Sequence, residues 1–130
     1  MDRIVNAIIG KLETSSIWNG IKGQGSNIIL FSDNDVLPEP PYIAVKPETG
    51  AMPNTRQFRI IAHMRQGEFD KLEDFTLTEL DGLLLGGIED KEGSRYKLQA
   101  NGYTDIMPDV DDNTYFMERM YYAPLRKMGG

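Results

Sequence analysis

The chain has 130 residues, 40% of them hydrophobic and 26% charged, with a formal net charge of −6 and no cysteine. That length suits a single domain spanning 1–130, and the lack of thiols excludes disulfides and thiolate metal centres and suits an intracellular protein. The acidic balance argues against a grip on nucleic acid, which needs clustered Lys and Arg; no apolar run nears the roughly 20 residues of a membrane span, and the N-terminus lacks the small-residue cleavage site of a secretory leader.

Residues 2–14 set Ile4, Val5, Ile8, Ile9 and Leu12 on one face and Asn6, Lys11 and Glu13 largely opposite, which predicts a short amphipathic helix. Thr14, Ser15 and Ser16 interrupt it, Ile17-Trp18 is expected to tuck under its end, and Gly20, Gly23 and Gly25 make a connection. Residues 27–31 are apolar enough for a short strand. Turn formers with Pro38, Pro40 and Pro41 follow and lead into a strand over 42–46; Pro41 suits a first strand position, where its missing amide proton matters least. Residues 46–55 join two strands through two prolines and a glycine. Loops longer than a hairpin turn tend to be functional, so Lys46, Glu48, Met52 and Asn54 are candidate contact residues.

The stretch 56–86 organises the rest. Phe58, Ile60, Ala62 and Met64 alternate with Gln57, Arg59, His63 and Arg65, the period of a strand with one buried face. After Gly67 the period changes, and Phe69, Leu72, Phe75, Leu80, Leu83 and Leu84 form one stripe of a helix. Gly86-Gly87 supplies its stop through the left-handed conformation open to glycine.

Residues 88–93 read as a charged turn. Residues 95–100 predict a strand, Asn101-Gly102 a hairpin turn and 103–107 the partner strand. An acidic turn over 108–113 precedes a long strand over 114–125, whose faces (Tyr115, Met117, Tyr121 against Phe116, Met120, Tyr122) are both partly apolar. Such a strand lies inside a sheet or at a subunit contact. Residues 126–130 read as a frayed tail. The fold class is α+β: a four- to five-stranded mixed or antiparallel sheet with two amphipathic helices on one face.

Catalytic chemistry is sparse. His63 is the single histidine; a catalytic role would need a carboxylate and a nucleophile that the sequence does not identify, and a surface or interface residue is the plainer reading. Asp105, Asp109, Asp111, Asp112 and Glu118 could hold a hard cation. As a calcium loop from Asp109 they fail, because Thr114 stands where glycine belongs and Met120 where the bidentate glutamate belongs. A solvated acidic turn fits better. Gly23-Gln24-Gly25 is too short to cradle phosphate, and Ser15, Ser16 and Ser26 lack a nucleophile-elbow context. One histidine without cysteine excludes zinc deaminase and protease chemistry. No enzyme, cofactor or metal is expected. Arg56, Arg59 and Arg65, assigned to one strand face, read as partners of carboxylates on a neighbouring strand or subunit.

The order of these pieces resembles the tail-terminator (tail-completion, tail-to-head joining) proteins of long-tailed bacteriophages. An N-terminal helix (2–14) precedes a loop and a Pro-Tyr strand (41–46); an Arg-rich strand (56–65) feeds a leucine-bearing helix (67–85), and a late strand (114–125) completes the sheet. The resemblance implies a virion protein that forms a ring, typically hexameric, on the last ring of the tail tube. That ring stops tube growth and seats the head connector, while DNA passes without specific binding. It further implies interface residues among Lys46, Glu48, Met52, Asn54, Arg56, Arg59, Arg65 and Tyr121. A lumen that repels DNA would draw on Glu48, Asp105, Asp109, Asp111 and Asp112. Competing readings are another phage neck, head-completion or minor tail protein, a small non-enzymatic α+β ligand-binding or regulatory domain, and, third, an enzyme with an acidic metal centre.

Overall fold

The computed structural model describes residues 3–21, 27–30, 39–48, 55–100, 105–109 and 113–124. Two helices, α1 (Arg3–Leu12) and α2 (Ser16–Ile21), precede strands β1 (Asn27–Leu30), β2 (Tyr42–Glu48) and β3 (Thr55–Arg65). A helical run follows: α3 (Phe69–Asp74), a π-helical turn (Phe75–Glu79) and α4 (Leu80–Leu84). Then come β4 (Ile88–Glu89), β5 (Arg95–Tyr96), β6 (Gln99–Ala100), β7 (Ile106–Asp109) and β8 (Thr114–Pro124). The main sheet runs β1-β2-β3-β8, with β6 and β7 sharing the far side of β8. Only β1 and β2 pair in parallel, so the fold is α+β with a mostly antiparallel sheet, as its patterning predicts.

Alternation decides what this sheet buries. Phe58, Ile60, Ala62 and Met64 of β3 are all fully buried, and the register aligns them with Val45 and Ile43 of β2 and with Tyr121 and Met117 of β8. Ile4, Val5, Ile8 and Leu12 of α1, Trp18 and Ile21 of α2, and Leu72, Phe75, Leu80 and Leu84 of the helical run close this core from one side. Both predicted helices therefore lie on one face of the sheet, with the short α2 as a third. No helix among the described residues is long and apolar enough to cross a membrane.

The π-helical turn resolves an irregularity in the leucine stripe. From Phe75 to Leu80 is a step of five, which in a regular α-helix would carry Leu80 about 140° off the buried face. Here the Leu80 N–H bonds to the Phe75 carbonyl, five residues back. The wider turn absorbs the extra residue, and both side chains stay fully buried. Beyond α4, Gly87 adopts φ +96, the left-handed stop its position predicts.

Ser15 caps α2: its hydroxyl accepts the Trp18 N–H at 2.9 Å. Glu79, from the π-helical turn, reaches across to this cap. Its carboxylate accepts the hydroxyls of Ser15 and Ser16, and the Ser16 N–H at 3.2 Å.

Two expectations are corrected. Residues 95–100 are not one strand: Arg95–Tyr96 and Gln99–Ala100 are separate short strands with different partners. β5 pairs with β4, whereas β6 and β7 each pair with β8, at its Tyr121–Tyr122 and its 114–117 ends respectively. A strand as long as β8 offers backbone partners to both short segments, which a local hairpin would not improve on. The charged turn expected over 88–93 is present as the bend of the β4–β5 hairpin, but its first two residues, Ile88–Glu89, are a strand. There Asp90 Oδ1 accepts the N–H groups of Glu92 and Ser94 at 2.9 and 3.0 Å, and Oδ2 accepts the Tyr96 hydroxyl at 2.8 Å. The Asn101-Gly102 turn, most of the 46–55 loop and the 126–130 tail lie outside the described residues.

Candidate functional site

The residues that alternate with the core series occupy the sheet face turned away from the helices. Strand register sets them in cross-strand rows: Tyr42–His63–Phe116, Ala44–Ile61–Glu118, Lys46–Arg59–Met120 and Glu48–Gln57–Tyr122. Tyr42, Ala44 and Ile61 form a small buried cluster of their own, to which no described helix contributes. Around it stand the charges. Arg59 bridges three strands, with Nε 3.1 Å from Glu48 Oε1 on β2 and Nη1 3.6 Å from Glu118 Oε2 on β8. Lys46 Nζ lies 3.6 Å from the same Glu48 oxygen. That oxygen is buried without a hydrogen bond, so it is the two cations that offset its loss of water. The predicted pairing of a sheet-surface arginine with carboxylates on neighbouring strands is therefore present at Arg59.

His63 sits between two hydroxyls. Nδ1 lies 3.0 Å from the Tyr42 hydroxyl and Nε2 2.6 Å from Thr114 Oγ1. Its ring also meets the edges of Tyr42 and Phe116, with centroids 5.3 and 6.0 Å away. A base beside a hydroxyl is half of a nucleophilic pair. Yet Thr114 is only 8% exposed, and the group on Nδ1 is a phenol, which lacks the charge that stabilises an imidazolium. What this geometry achieves is to tie β2, β3 and β8 together through one side chain.

On the helix side, Arg119 of β8 faces inward among core residues, its side chain 11% exposed. It meets the Asp81 carboxylate at two points, Nε to Oδ1 at 2.8 Å and Nη2 to Oδ2 at 3.0 Å. The Tyr121 hydroxyl donates to the same Oδ1 at 2.5 Å. Burial, and then the bond to the Asp81 carboxylate, push the Tyr121 phenol far above its ordinary value. Burial works against the Arg119 charge, but Asp81 more than offsets it and the guanidinium is held charged. Tyr121 is thus corrected from interface candidate to core residue: it is fully buried beneath α4. The patterning did not single out Asp81 or Arg119. The available signal was an arginine on the inward series Tyr115, Met117, Arg119, Tyr121, a position that demands a partner.

The three arginines do not share a face. Arg59 and Arg65 belong to the helix-free face, whereas Arg56, opposite buried Ala123, lies on the helix side with its guanidinium 5.2 Å from the Phe58 ring centroid. Arg65 pairs with Glu68 at 2.8 Å. Of the acidic candidates, Glu48 is balanced by Lys46 and Arg59, Asp105 is exposed, and Asp109 pairs through its backbone strand with Thr114. Met52, Asn54, Asp111 and Asp112 lie outside the described residues. Among the described residues, no three His, Cys, Asp or Glu gather to hold a metal ion. No protein-family model and no curated protein matches the chain.

Proposed function

We propose that the protein is a structural component of a phage tail. It assembles as a ring of its own copies, a hexamer, on the end of the tail tube, stops tube growth and seats the head connector. The observation that carries the reading is one-sided packing. Every described helix that contributes to the core lies on one face of the sheet, and the other face carries mostly half-buried charged and aromatic residues in rows across three strands, around buried Tyr42, Ala44 and Ile61. A surface with both charge signs and several rings suits protein contact, where aromatic residues and Arg are enriched. The element order behind the resemblance adds support, since helix, Pro-Tyr strand, Arg-rich strand, leucine helix and late strand follow one another here.

Electron microscopy of phage particles made without this protein tests the reading. Overlong or headless tails are expected, and tails of normal length joined to heads would refute it. The lumen assignment has its own test. Lys substitutions at Asp105, Asp109, Asp111 and Asp112 should stall DNA passage while tails remain capped, and normal infectivity would remove it. Glu48, already neutralised by its neighbours, is a weak contributor to such a lumen.

A further inference from the structure

Two buried polar side chains beside the π-helical turn have no hydrogen-bond partner. Trp18 is 3% exposed and its indole Nε1–H is unmet, and Thr76 is 5% exposed with its hydroxyl unmet. A buried indole N–H usually finds an acceptor, and buried hydroxyls rarely stay unpaired. Stranding such a group costs more than a typical hydrogen bond gains.

The two residues lie on elements that touch. α2 meets the π-helical turn at its start, where Glu79 accepts the Ser15 and Ser16 hydroxyls. Three residues after Ser15, the Trp18 ring lies 6.3 Å from that of Phe75, the chain neighbour of Thr76. Thr76 stands four residues from both Leu72 and Leu80, and all three are buried. A helical threonine can turn its hydroxyl back to the carbonyl four residues earlier, as Thr78 does to Asp74 at 2.6 Å. Thr76 makes no such bond, so its hydroxyl is left for a partner outside its own helix.

We propose that a single buried water molecule bridges Trp18 Nε1 and Thr76 Oγ1 and ties α2 to the π-helical turn within the core. The chemistry of the two groups selects water. Indole only donates, so the bridging species must accept, which excludes a cation. An anion would bring an unpaired charge among Phe75 and the core leucines. A hydroxyl donates or accepts, so a neutral molecule with both capacities completes the link. Water is the smallest such molecule and serves buried groups of this kind. The joint between α2 and the turn is then held at two depths, by half-buried Glu79 and by the water below it.

A high-resolution crystal structure of the full chain, with urea denaturation of variants followed by circular dichroism, tests the bridge. Electron density for a water within hydrogen-bond distance of both atoms is expected. Thr76→Val keeps the β-branched shape and removes the hydroxyl. With the water in place, this change cuts the bridge and should raise the unfolding equilibrium constant about fivefold. Were the hydroxyl merely stranded, the same change would remove a desolvated group and lower that constant. In a Trp18→Phe background, where the bridge is already cut, Thr76→Val should change the constant less than about twofold. A site without density, an indole N–H directed at the Phe75 ring, a Thr76→Val chain as stable as the wild type, or an equal cost in both backgrounds would each overturn the bridge. The density decides even where Thr76→Val fails to fold.

Discussion

Asp81 and Arg119 form the polar joint between the helix layer and the sheet, a two-point ion pair with donor–acceptor distances of 2.8 and 3.0 Å. Its partners are unequally exposed, 43% for the Asp81 side chain and 11% for that of Arg119. Water can therefore reach the acid but scarcely the base. Removing the acid strands a buried cation together with the Tyr121 hydroxyl.

Asp81→Ala should destabilise the fold by about 2 kcal/mol, the range of hydrogen bonds to charged groups reduced for the exposure of the acid. Asp81→Asn, which keeps the shape and one acceptor, should cost less. Urea denaturation of both variants checks this. A loss under about 0.5 kcal/mol for Asp81→Ala would make the pair an ordinary surface contact.

Acid should loosen the β4–β5 hairpin first. The Tyr96 hydroxyl holds the Asp90 carboxyl below its usual value; burial opposes this, while the Ser94 and Glu92 N–H groups and the nearby Arg3 reinforce it. A depressed carboxyl contributes stability that is complete above the unfolded value, about 4, and is lost as pH falls below that through the folded value. Amide exchange of Glu92 and Ser94 should accelerate on acidification across that window. Asp90→Asn should remove most of this pH dependence at the two amides, and an unchanged profile would contradict it.

Trp18 is the sole tryptophan and reports on α2 directly. Ser15→Ala removes the cap on the Trp18 N–H and should cost about 1 kcal/mol. Because Glu79 binds Ser15 and Ser16, Glu79→Ala should weaken the same end of α2. The two substitutions should therefore be non-additive in a double-mutant cycle read by Trp18 fluorescence. Strict additivity would mean that Glu79 does not act through the cap.

Leu77 and Leu80 are three residues apart but differ in environment, the first 71% exposed and the second fully buried. Leu80→Ala should cost about 3 kcal/mol through the cavity it leaves. Leu77→Ala should stay within about 0.5 kcal/mol. Thermal melts of both variants compare them directly.

Where a periodic signal ran for seven residues or more, the fold was legible. The alternation in Phe58–Met64 and the apolar face of Ile4–Leu12 lead directly to β3 and α1, because each has one face to bury and one to solvate. Short segments were another matter. The pairing of Gln99–Ala100 and Ile106–Asp109 depends on a distant strand edge that no local pattern encodes. At the sheet surface the pairing of Arg59 with neighbouring carboxylates followed from residue type alone, but residue type misplaces Arg56, which shares the parity of Phe58 and Ile60 and so belongs to the helix-covered face. Tyr121 misled for a related reason: a strand with rings on both faces does not reveal which ring the helices will cover until their position is known.

The additional peptide unit between Phe75 and Leu80 has a consequence at long range. Were that turn to rewind to ordinary pitch with all its residues kept, everything after it would swing by about 100° around the helix axis. Asp81 would leave Arg119, and the β4–β5 hairpin beyond would be carried to a different quadrant. In descendants of this chain the one change of length this segment should accept is loss of a single residue, which restores ordinary pitch and leaves the angle between the two halves of the molecule as it is.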